Sequence, residues 1–221
     1  MPDPSNTSLI TYKNWTLRLR ESSGASARLL LLIHGLTGDE NSMWVFTRDL
    51  PSHYWLVAPR APHPSQMEQG GYSWLAVRSE AEELSTVEQL QPASEALMQL
   101  IDEYSSSVGL DSSTFDIMGF SQGAAMASLL AFLHPSRIGK VGILAGFVPA
   151  GLDGYIASRP LEGKSFFVAH GTRDSRVPIE RARTSIEILE QAGASVTYCE
   201  DDVGHKVSLN CLRALRKFLT D

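Results

Sequence analysis

The sequence predicts an α/β fold with a mostly parallel central sheet and helices on both faces. Short apolar runs alternate with helical patterns from residue 29 to the C-terminus, which is the pattern of a doubly wound sheet. The run at 29–33 (LLLLI) is apolar at every position, and this is typical of a strand buried on both faces. No stretch has the composition of a linker, so we expect one domain over residues 1–221.

The remaining elements follow from the same patterns. Residues 9–20 alternate apolar and polar side chains, which predicts one long edge strand or a hairpin that turns near Lys13 and Asn14. Further strands are expected at 54–58, 114–118, 141–144, 165–169 and 196–199. Helical patterns cover roughly 42–50, 79–107, 122–133, 179–192 and 206–219. Pro92 is expected to interrupt the pattern at 79–107 or to start a segment there.

Charge and composition exclude several classes of protein. The net charge is −6 and the basic residues form no stripe, which disfavours nucleic-acid partners and adhesion to anionic membranes. The polar N-terminus has no apolar signal region and no stretch is long enough for membrane insertion, so we expect a cytoplasmic protein. The sequence leaves the oligomeric state open, including a homodimer.

The two cysteines, Cys199 and Cys211, lie outside any metal-binding motif. Their number excludes a disulfide framework, and we expect two isolated, buried or half-buried thiols. No metal or organic cofactor is predicted.

Residues 119–123 (GFSQG) lie between an apolar strand-like run and the small residues that begin a helix. In this context G-x-S-x-G predicts a nucleophile elbow, a sharp strand-to-helix turn that exposes its serine. A Cβ at either glycine would collide with the strand or the helix. Ser121 is therefore the predicted nucleophile.

A serine hydroxyl is a weak nucleophile near neutral pH and needs a base. His205 is the predicted base, because it follows the last expected strand and precedes the C-terminal helix. Gly204 gives its backbone freedom. Of the other histidines, His53 lies before a strand, His63 in a proline-rich loop and His134 at a helix end. His34 and His170 each belong to a His-Gly pair that we expect to be buried.

Asp174 is the predicted orienting acid, since it lies in the turn-forming loop after the strand at 165–169. The alternatives are Asp153, Asp201 and Asp202, and the last two are too close in sequence to orient the base easily. The order serine, aspartate, histidine is that of an α/β-hydrolase.

The glycine-rich loop at 34–42 follows the first buried strand and predicts half of an oxyanion hole. The donors would be the backbone N–H groups of Leu36 and Gln122, each worth roughly 3 kcal/mol of transition-state stabilisation. The alternative is a loop that merely turns the chain.

These segments together resemble the carboxylesterase, phospholipase and acyl-protein thioesterase family of the α/β-hydrolase superfamily. The matching pieces are His34-Gly35, 58–62 (APRAP), Trp74, 119–123 (GFSQG), 146–149 (GFVP), His170-Gly171 with Asp174 and Val177-Pro178, and Gly204-His205. The resemblance implies a Ser-Asp-His triad, no cap domain, and a small-molecule ester or thioester substrate. The loop at 35–40 is more similar to the bacterial esterase branch, which counts against a protein-depalmitoylating role.

Only about twenty residues separate the strands expected at 141–144 and 165–169, too few for a helical cap. We therefore expect a shallow groove that favours short or medium acyl chains. Its predicted walls are Leu36, Met43, Trp44, Tyr72, Trp74, Phe120, Phe147, Val148 and Val177. Arg60 and His63 are expected to stabilise loops, without a catalytic part.

The prediction is thus a serine carboxylesterase that works through an acyl-enzyme. Within the enzyme class, a lysophospholipase or an acyl-(protein) thioesterase is the alternative. A dienelactone-type hydrolase would have a cysteine nucleophile at this position, so Ser121 counts against that class. Outside enzymology, the alternative is a non-catalytic hydrolase fold that binds ligands.

Overall fold

The computed structural model describes residues 7–23, 26–76 and 85–221. The strands are β1 (Ser8–Tyr12), β2 (Trp15–Arg20), β3 (Arg28–Ile33), β4 (Tyr54–Pro59), β5 (His63–Pro64), β6 (Tyr72–Ser73), β7 (Phe115–Phe120), β8 (Ile138–Leu144), β9 (Ser165–Gly171) and β10 (Ser195–Asp201). The α-helices are α1 (Val87–Val108), α2 (Gln122–Leu133), α3 (Asp153–Ile156), α4 (Ile179–Gln191) and α5 (Leu209–Thr220). A 3₁₀ helix covers Ser42–Phe46.

Eight strands form one sheet in the order β1-β2-β4-β3-β7-β8-β9-β10. Six neighbouring strands of this sheet run parallel, namely β4, β3, β7, β8, β9 and β10. Strand β2 runs antiparallel to both of its neighbours, β1 and β4. This is the predicted mostly parallel sheet. Strands β5 and β6 form a separate antiparallel pair of two residues each, which the sequence did not indicate.

The apolar run in β3 shows why the sheet is covered on both faces. Leu29, Leu31 and Ile33 belong to the core that includes buried side chains of α1, α2 and α4. Leu30 and Leu32 belong to the opposite core, which α5 and the 3₁₀ helix complete. Because successive side chains of a strand point to opposite faces, a strand between two cores must be apolar at every position.

The N-terminal pattern forms a hairpin, one of the two predicted alternatives. Tyr12 of β1 pairs with Trp15 of β2, and Lys13 takes the left-handed backbone conformation that the tight turn requires (φ +51°). β1 is the edge strand of the sheet, which accounts for its exposed face.

Two helices begin later than predicted because side chains cap them at specific residues. Helix α1 begins after Thr86, which forms a capping box with Gln89, and the pattern at 79–84 lies outside the described residues. Pro92 lies inside α1 without interrupting it, so the expected break was wrong. Helix α5 begins after Ser208, whose hydroxyl accepts the N–H of Cys211.

The expectation of two isolated thiols was wrong, because Cys199 and Cys211 form a disulfide. Cys199 lies in β10 and Cys211 in the first turn of α5, and packing of this helix against the sheet brings their Cα atoms to 5.6 Å. Disulfides are more typical of oxidising compartments, so the cytoplasmic location stays a prediction. No helix among the described residues is long and apolar enough to cross a membrane.

The segment between β8 and β9 contains only the four-residue helix α3. It therefore adds no helical layer over the carboxyl ends of the strands.

Candidate active site

Ser121 lies on the turn between β7 and α2 in a strained conformation, with φ +54° and ψ −116°. A Cβ on Gly119 would collide with the backbone of Gly123, and a Cβ on Gly123 would collide with the carbonyl groups of Ile33 and His34. Both glycines are thus required by backbone packing. Ser121 N–H donates to Leu144 O at 2.9 Å, which ties the turn to β8.

The turn lies where the connection of the sheet reverses. From β3 the chain first continues to β4 on one side, and only later adds β7 on the other side of β3. Ile33 at the end of β3 pairs with Gly119 of β7, so the loops after these two strands meet. Such switch points at the carboxyl ends of parallel strands are the usual ligand sites of α/β sheets.

Beside this point, the buried Asp174 and the half-buried His205 form a hydrogen-bonded pair. His205 Nδ1 donates to Asp174 Oδ2 at 2.7 Å, which leaves Nε2 of the neutral ring as a proton acceptor. The other oxygen, Oδ1, accepts the N–H groups of Val177 at 3.0 Å and Arg176 at 2.9 Å. Burial alone would raise the pKa of Asp174, but the hydrogen bonds from Val177, His205 and Arg176 outweigh it and lower this pKa.

A second histidine lies against the same carboxylate. His170 Nε2 donates to Val177 O at 2.8 Å and lies 3.4 Å from Asp174 Oδ2. Burial lowers the pKa of His170, so the ring is neutral, and its Nδ1 has no hydrogen-bond partner among the described residues. The sequence suggested only a buried turn residue here, yet His170 braces the loop that carries Asp174.

Ser121 and His205 line one cleft. The His205 ring packs against Phe120, with ring centroids 5.1 Å apart. Within the described residues, no hydrogen bond joins the Ser121 hydroxyl to His205. Contacts between nucleophile and base are often loose before substrate binds, and the shared cleft leaves both groups open to one ligand.

The two predicted oxyanion donors also line the cleft. In the described part of the chain, the N–H groups of Leu36 and Gln122 donate no hydrogen bond. Gln122 is the first residue of α2, where backbone N–H groups have no partner within the helix. The loop of Leu36 is closed by a bond from Gly38 N–H to Gly35 O at 3.0 Å.

The side chain of Gln122 has a role that the sequence did not predict. Its Oε1 accepts the N–H of Trp74 at 3.0 Å, and its Nε2 lies 3.4 Å from Ser73 Oγ. The Trp74 indole donates to His34 O at 2.8 Å. Gln122 therefore links the elbow to the Ser73–Trp74 segment and, through Trp74, to the start of the oxyanion loop.

The cleft has a volume of about 1140 Å³. Five of the predicted wall residues line it: Leu36, Met43, Phe120, Phe147 and Val177. The described residues that extend this apolar lining include Val45, Phe46, Met67 and Leu75. Arg181, also in the lining, stacks on the ring of Phe147 with its guanidinium carbon 3.5 Å from the ring centroid.

Four predicted wall residues do not line the cleft, and each is engaged elsewhere. Trp74 is 1% exposed beneath the oxyanion loop, and the Trp44 indole donates to Glu40 O. The Tyr72 hydroxyl accepts from Arg60, and the buried Val148 donates its N–H to Ser185 Oγ. Aromatic composition alone cannot separate an inward-packed ring from one that faces a ligand.

The expected loop contacts of Arg60 and His63 are present. Arg60 pairs with both carboxylate oxygens of Glu40 at 2.7 and 2.9 Å, and its guanidinium lies over the Tyr72 ring. His63 pairs with Ser73 across β5 and β6. Neither residue is among those that line the cleft.

The other candidate acids lie away from His205 Nδ1. Asp153 begins helix α3, and Asp202 pairs with Arg173 at 2.6 Å. Asp201 takes a hydrogen bond from the hydroxyl of Ser208. Within the ranges 7–23, 26–76 and 85–221, no group of three or more His, Cys, Asp and Glu side chains could hold a metal ion.

Comparison with known proteins identifies the family. Residues 16–221 match the family model described as phospholipase/carboxylesterase. The chain is 26% identical over 208 residues to carboxylesterase SOBER1 of Arabidopsis thaliana, covering 86% of this chain and 88% of that protein. It is 25% identical over 225 residues to acyl-protein thioesterase 1 of Kluyveromyces lactis, covering 92% of this chain and 96% of that protein.

The fold is similar to that of a solved carboxylesterase from Mesorhizobium loti. The TM-score is 0.81 at 21% sequence identity, over 97% of this chain and 99% of that one. Together with the match over most of the sequence, these findings show that the chain belongs to the phospholipase/carboxylesterase family of the α/β-hydrolase superfamily and is an esterase-type serine hydrolase.

Proposed function

We propose that the protein is a serine carboxylesterase that hydrolyses short- to medium-chain carboxylic esters through an acyl-enzyme. The observation that carries this proposal is the strained Ser121 turn at a cleft that also contains His205, whose ring is held by a buried aspartate. In this proposal Ser121, Asp174 and His205 are the catalytic triad.

The acid–base steps follow from the tautomer of His205. Nδ1–H is fixed by Asp174, so Nε2 accepts the Ser121 proton as Oγ attacks the acyl carbonyl. The same Nε2 then returns the proton to the leaving alcohol. A water molecule, deprotonated by His205, cleaves the acyl-enzyme and releases the acid and free Ser121. The lowered pKa of Asp174 keeps its carboxylate charged beside the imidazolium that forms.

The oxyanion is the negative charge that develops on the carbonyl oxygen during each attack. We assign its stabilisation to the N–H groups of Leu36 and Gln122, since both residues line the cleft and neither group donates to another described residue. Backbone donors are already oriented before the reaction, so they need no reorganisation in the transition state.

The acyl group is assigned to the apolar part of the cleft formed by Leu36, Met43, Phe46 and Phe120. Among the described residues, the short segment between β8 and β9 places no helical layer over this groove, and we expect it to favour acyl groups that need few contacts beyond the reacting carbonyl.

A second candidate is a hydrolase of long acyl chains, as a lysophospholipase or an acyl-thioesterase. Two observations favour it: the cleft is larger than many small-molecule sites, and its lining includes Val45 and Met67, which are 62% and 37% exposed. Exposed apolar side chains at the mouth of a cleft extend the surface available to an aliphatic chain.

The chemistry is tested by Ser121→Ala. We expect the purified variant to lose nearly all hydrolysis of a p-nitrophenyl butyrate probe, with a drop in kcat of about 10⁴-fold or more, while the protein remains folded. Ester hydrolysis at the wild-type rate in this variant would exclude Ser121 as the nucleophile.

The acyl length is tested with p-nitrophenyl esters from C2 to C16, and with paired oxygen and thioesters of the preferred length. We expect kcat/KM to peak between about C4 and C8. Val45→Ser and Met67→Ser test the long-chain candidate, because each removes a partly exposed apolar side chain from the cleft lining. A maximum at C14 or C16 that both variants abolish would support the long-chain candidate instead.

A further inference from the structure

The disulfide brackets the loop that carries the proposed base. Cys199 and Cys211 are separated by 12 residues, and His205 is at the midpoint of that interval. The sequence contains only these two cysteines. Within the chain, therefore, no third thiol can exchange with this disulfide.

The first half of the loop is held by the neighbouring loop after β9. Arg173 N–H donates to Val203 O at 3.0 Å, and the Arg173 side chain binds Asp202 at 2.6 Å. Both side chains of this ion pair are about 70% exposed, and exposed pairs contribute little to stability. The loop also packs closely against the end of β9, because a Cβ on Gly171 would collide with the carbonyl groups of Val203 and Gly204.

The second half of the loop leads into the first turn of α5. Lys206 N–H donates to Gly204 O at 2.7 Å, which closes a turn within the loop, and Val207 packs against the core that contains Cys211. Ser208 caps α5 and also binds the carboxylate of Asp201, which is half-buried. The buried side chain of Cys211 anchors this turn in the core, and its disulfide fixes it covalently to β10.

The His205 side chain is 14% exposed. Within the described residues it donates a hydrogen bond to Asp174 and lies against the ring of Phe120. Both of these partners lie outside the loop, so the position of His205 relative to Ser121 also depends on how the two ends of the loop are fixed. Displacements of about 1 Å at a reacting group can cost on the order of a hundredfold in rate.

We propose that Cys199 and Cys211 are positioning residues for His205, so that the rate of hydrolysis depends on the disulfide between them. This inference rests on the proposed role of His205 as the base. An external dithiol would reduce the bond: its two thiols become a disulfide, and the protein gains two protons and two electrons as the Cys199 and Cys211 thiols. The first turn of α5 is then held only by non-covalent contacts, and the His205 ring samples positions away from Ser121.

The test compares oxidised wild type, wild type reduced with dithiothreitol, and the double variants Cys199→Ala/Cys211→Ala and Cys199→Ser/Cys211→Ser. We expect kcat to fall about tenfold in the last three samples at 25 °C, with KM changed less than about twofold, because the loss concerns the transition state. Reoxidation should restore the wild type, and dithiothreitol should leave both double variants unchanged.

Two further readouts separate positioning from stability. The Nδ1–H proton of His205 should give a sharp NMR signal in oxidised wild type and a broadened one after reduction, at a temperature where circular dichroism shows the folded state. Unchanged kcat with a lowered Tm would overturn the proposal, as would loss of activity only in step with unfolding. Free thiols in fully active enzyme would overturn it too.

The Ser121→Ala variant, measured in parallel, keeps this inference distinct from the proposed function. If Ser121→Ala is inactive and the disulfide has no effect on kcat, only the positioning role fails. If Ser121→Ala is as active as wild type, the proposed mechanism itself fails.

Discussion

The two ends of the sheet each contain a buried aspartate, and the two differ in what surrounds them. Asp116 lies near the amino ends of the strands. It accepts hydrogen bonds from Nε and Nη2 of Arg28, from the Tyr54 hydroxyl and from Lys140 N–H, at 2.6–2.8 Å. Asp174, at the carboxyl ends, accepts from two backbone N–H groups and from the His205 imidazole. The side chains of both are fully buried.

The two carboxylates differ in the basic side chain that each of them binds, which is Arg28 for Asp116 and His205 for Asp174. The guanidinium of Arg28 is permanently charged and forms a bidentate pair with the carboxylate. The negative charge of Asp116 is therefore balanced at all times by a positive charge. The partner of Asp174 gains a charge only when His205 takes a proton, and its other nitrogen is available at the cleft. One aspartate therefore joins strands, whereas the other is prepared for a charge that develops during a reaction.

Among changes at the two aspartates, the largest expected effect is that of Asp174→Asn on activity. The amide has no negative charge to stabilise imidazolium and can hold His205 in the wrong tautomer, so we expect kcat to fall roughly 10³- to 10⁴-fold. Steady-state kinetics at neutral pH, with circular dichroism as a check of folding, measures it. A loss below tenfold would mean that Asp174 does not orient the base.

The matched change at the other end is Asp116→Asn. Here the amide nitrogen would face Arg28 donors inside the sheet, and we expect the free energy of unfolding to fall by about 2–3 kcal/mol. The kcat of the folded fraction should stay within about twofold of wild type. Urea unfolding and kinetics on the same preparation check both statements, and a large fall in kcat without a loss of stability would remove the distinction between the two aspartates.

The placement of Ser121, Asp174 and His205 at the ends of their strands could be predicted from the sequence, because they follow these strands in the order of the fold, whereas the contacts of Asp116 could not. The bracing by His170 and Gln122 could not, since it depends on which side chains meet after the strands pair. The disulfide was missed for the same reason: the contact between β10 and α5 is tertiary, and a separation of twelve residues gives no sign of it. The predicted walls failed at Trp44 and Trp74 because their indoles bond inward to backbone carbonyls.

His170 offers a smaller test of how Asp174 is held. Its Nε2 is the donor to Val177 O, and a glutamine amide nitrogen can reach that position while the shorter asparagine cannot. We expect His170→Asn to reduce kcat/KM roughly fivefold, the value of one hydrogen bond, and His170→Gln to reduce it less. Equal losses in the two variants would show that the ring acts only by its volume.

The smallest expected effect is on the pH dependence of stability. The pKa of Asp174 is lower in the folded protein than in the unfolded chain, so its stabilising contribution is complete above the unfolded value, about 3.9, and is lost as pH falls through the folded value. Relative to Asp174→Asn, wild type should lose stability as pH falls below about 4. A Tm difference that does not shrink in this acidic range would contradict the lowered pKa of Asp174.

Ser121 is the proposed nucleophile, and the Asp174–His205 pair is proposed to activate it. Both roles can be tested in one experiment by labelling with a fluorophosphonate, followed by peptide mass spectrometry. We expect one label per chain on the peptide that contains Ser121, no label in Ser121→Ala, and labelling slowed by orders of magnitude in Asp174→Asn but not in Asp116→Asn. A label on another residue, or equal rates in the two aspartate variants, would contradict these roles.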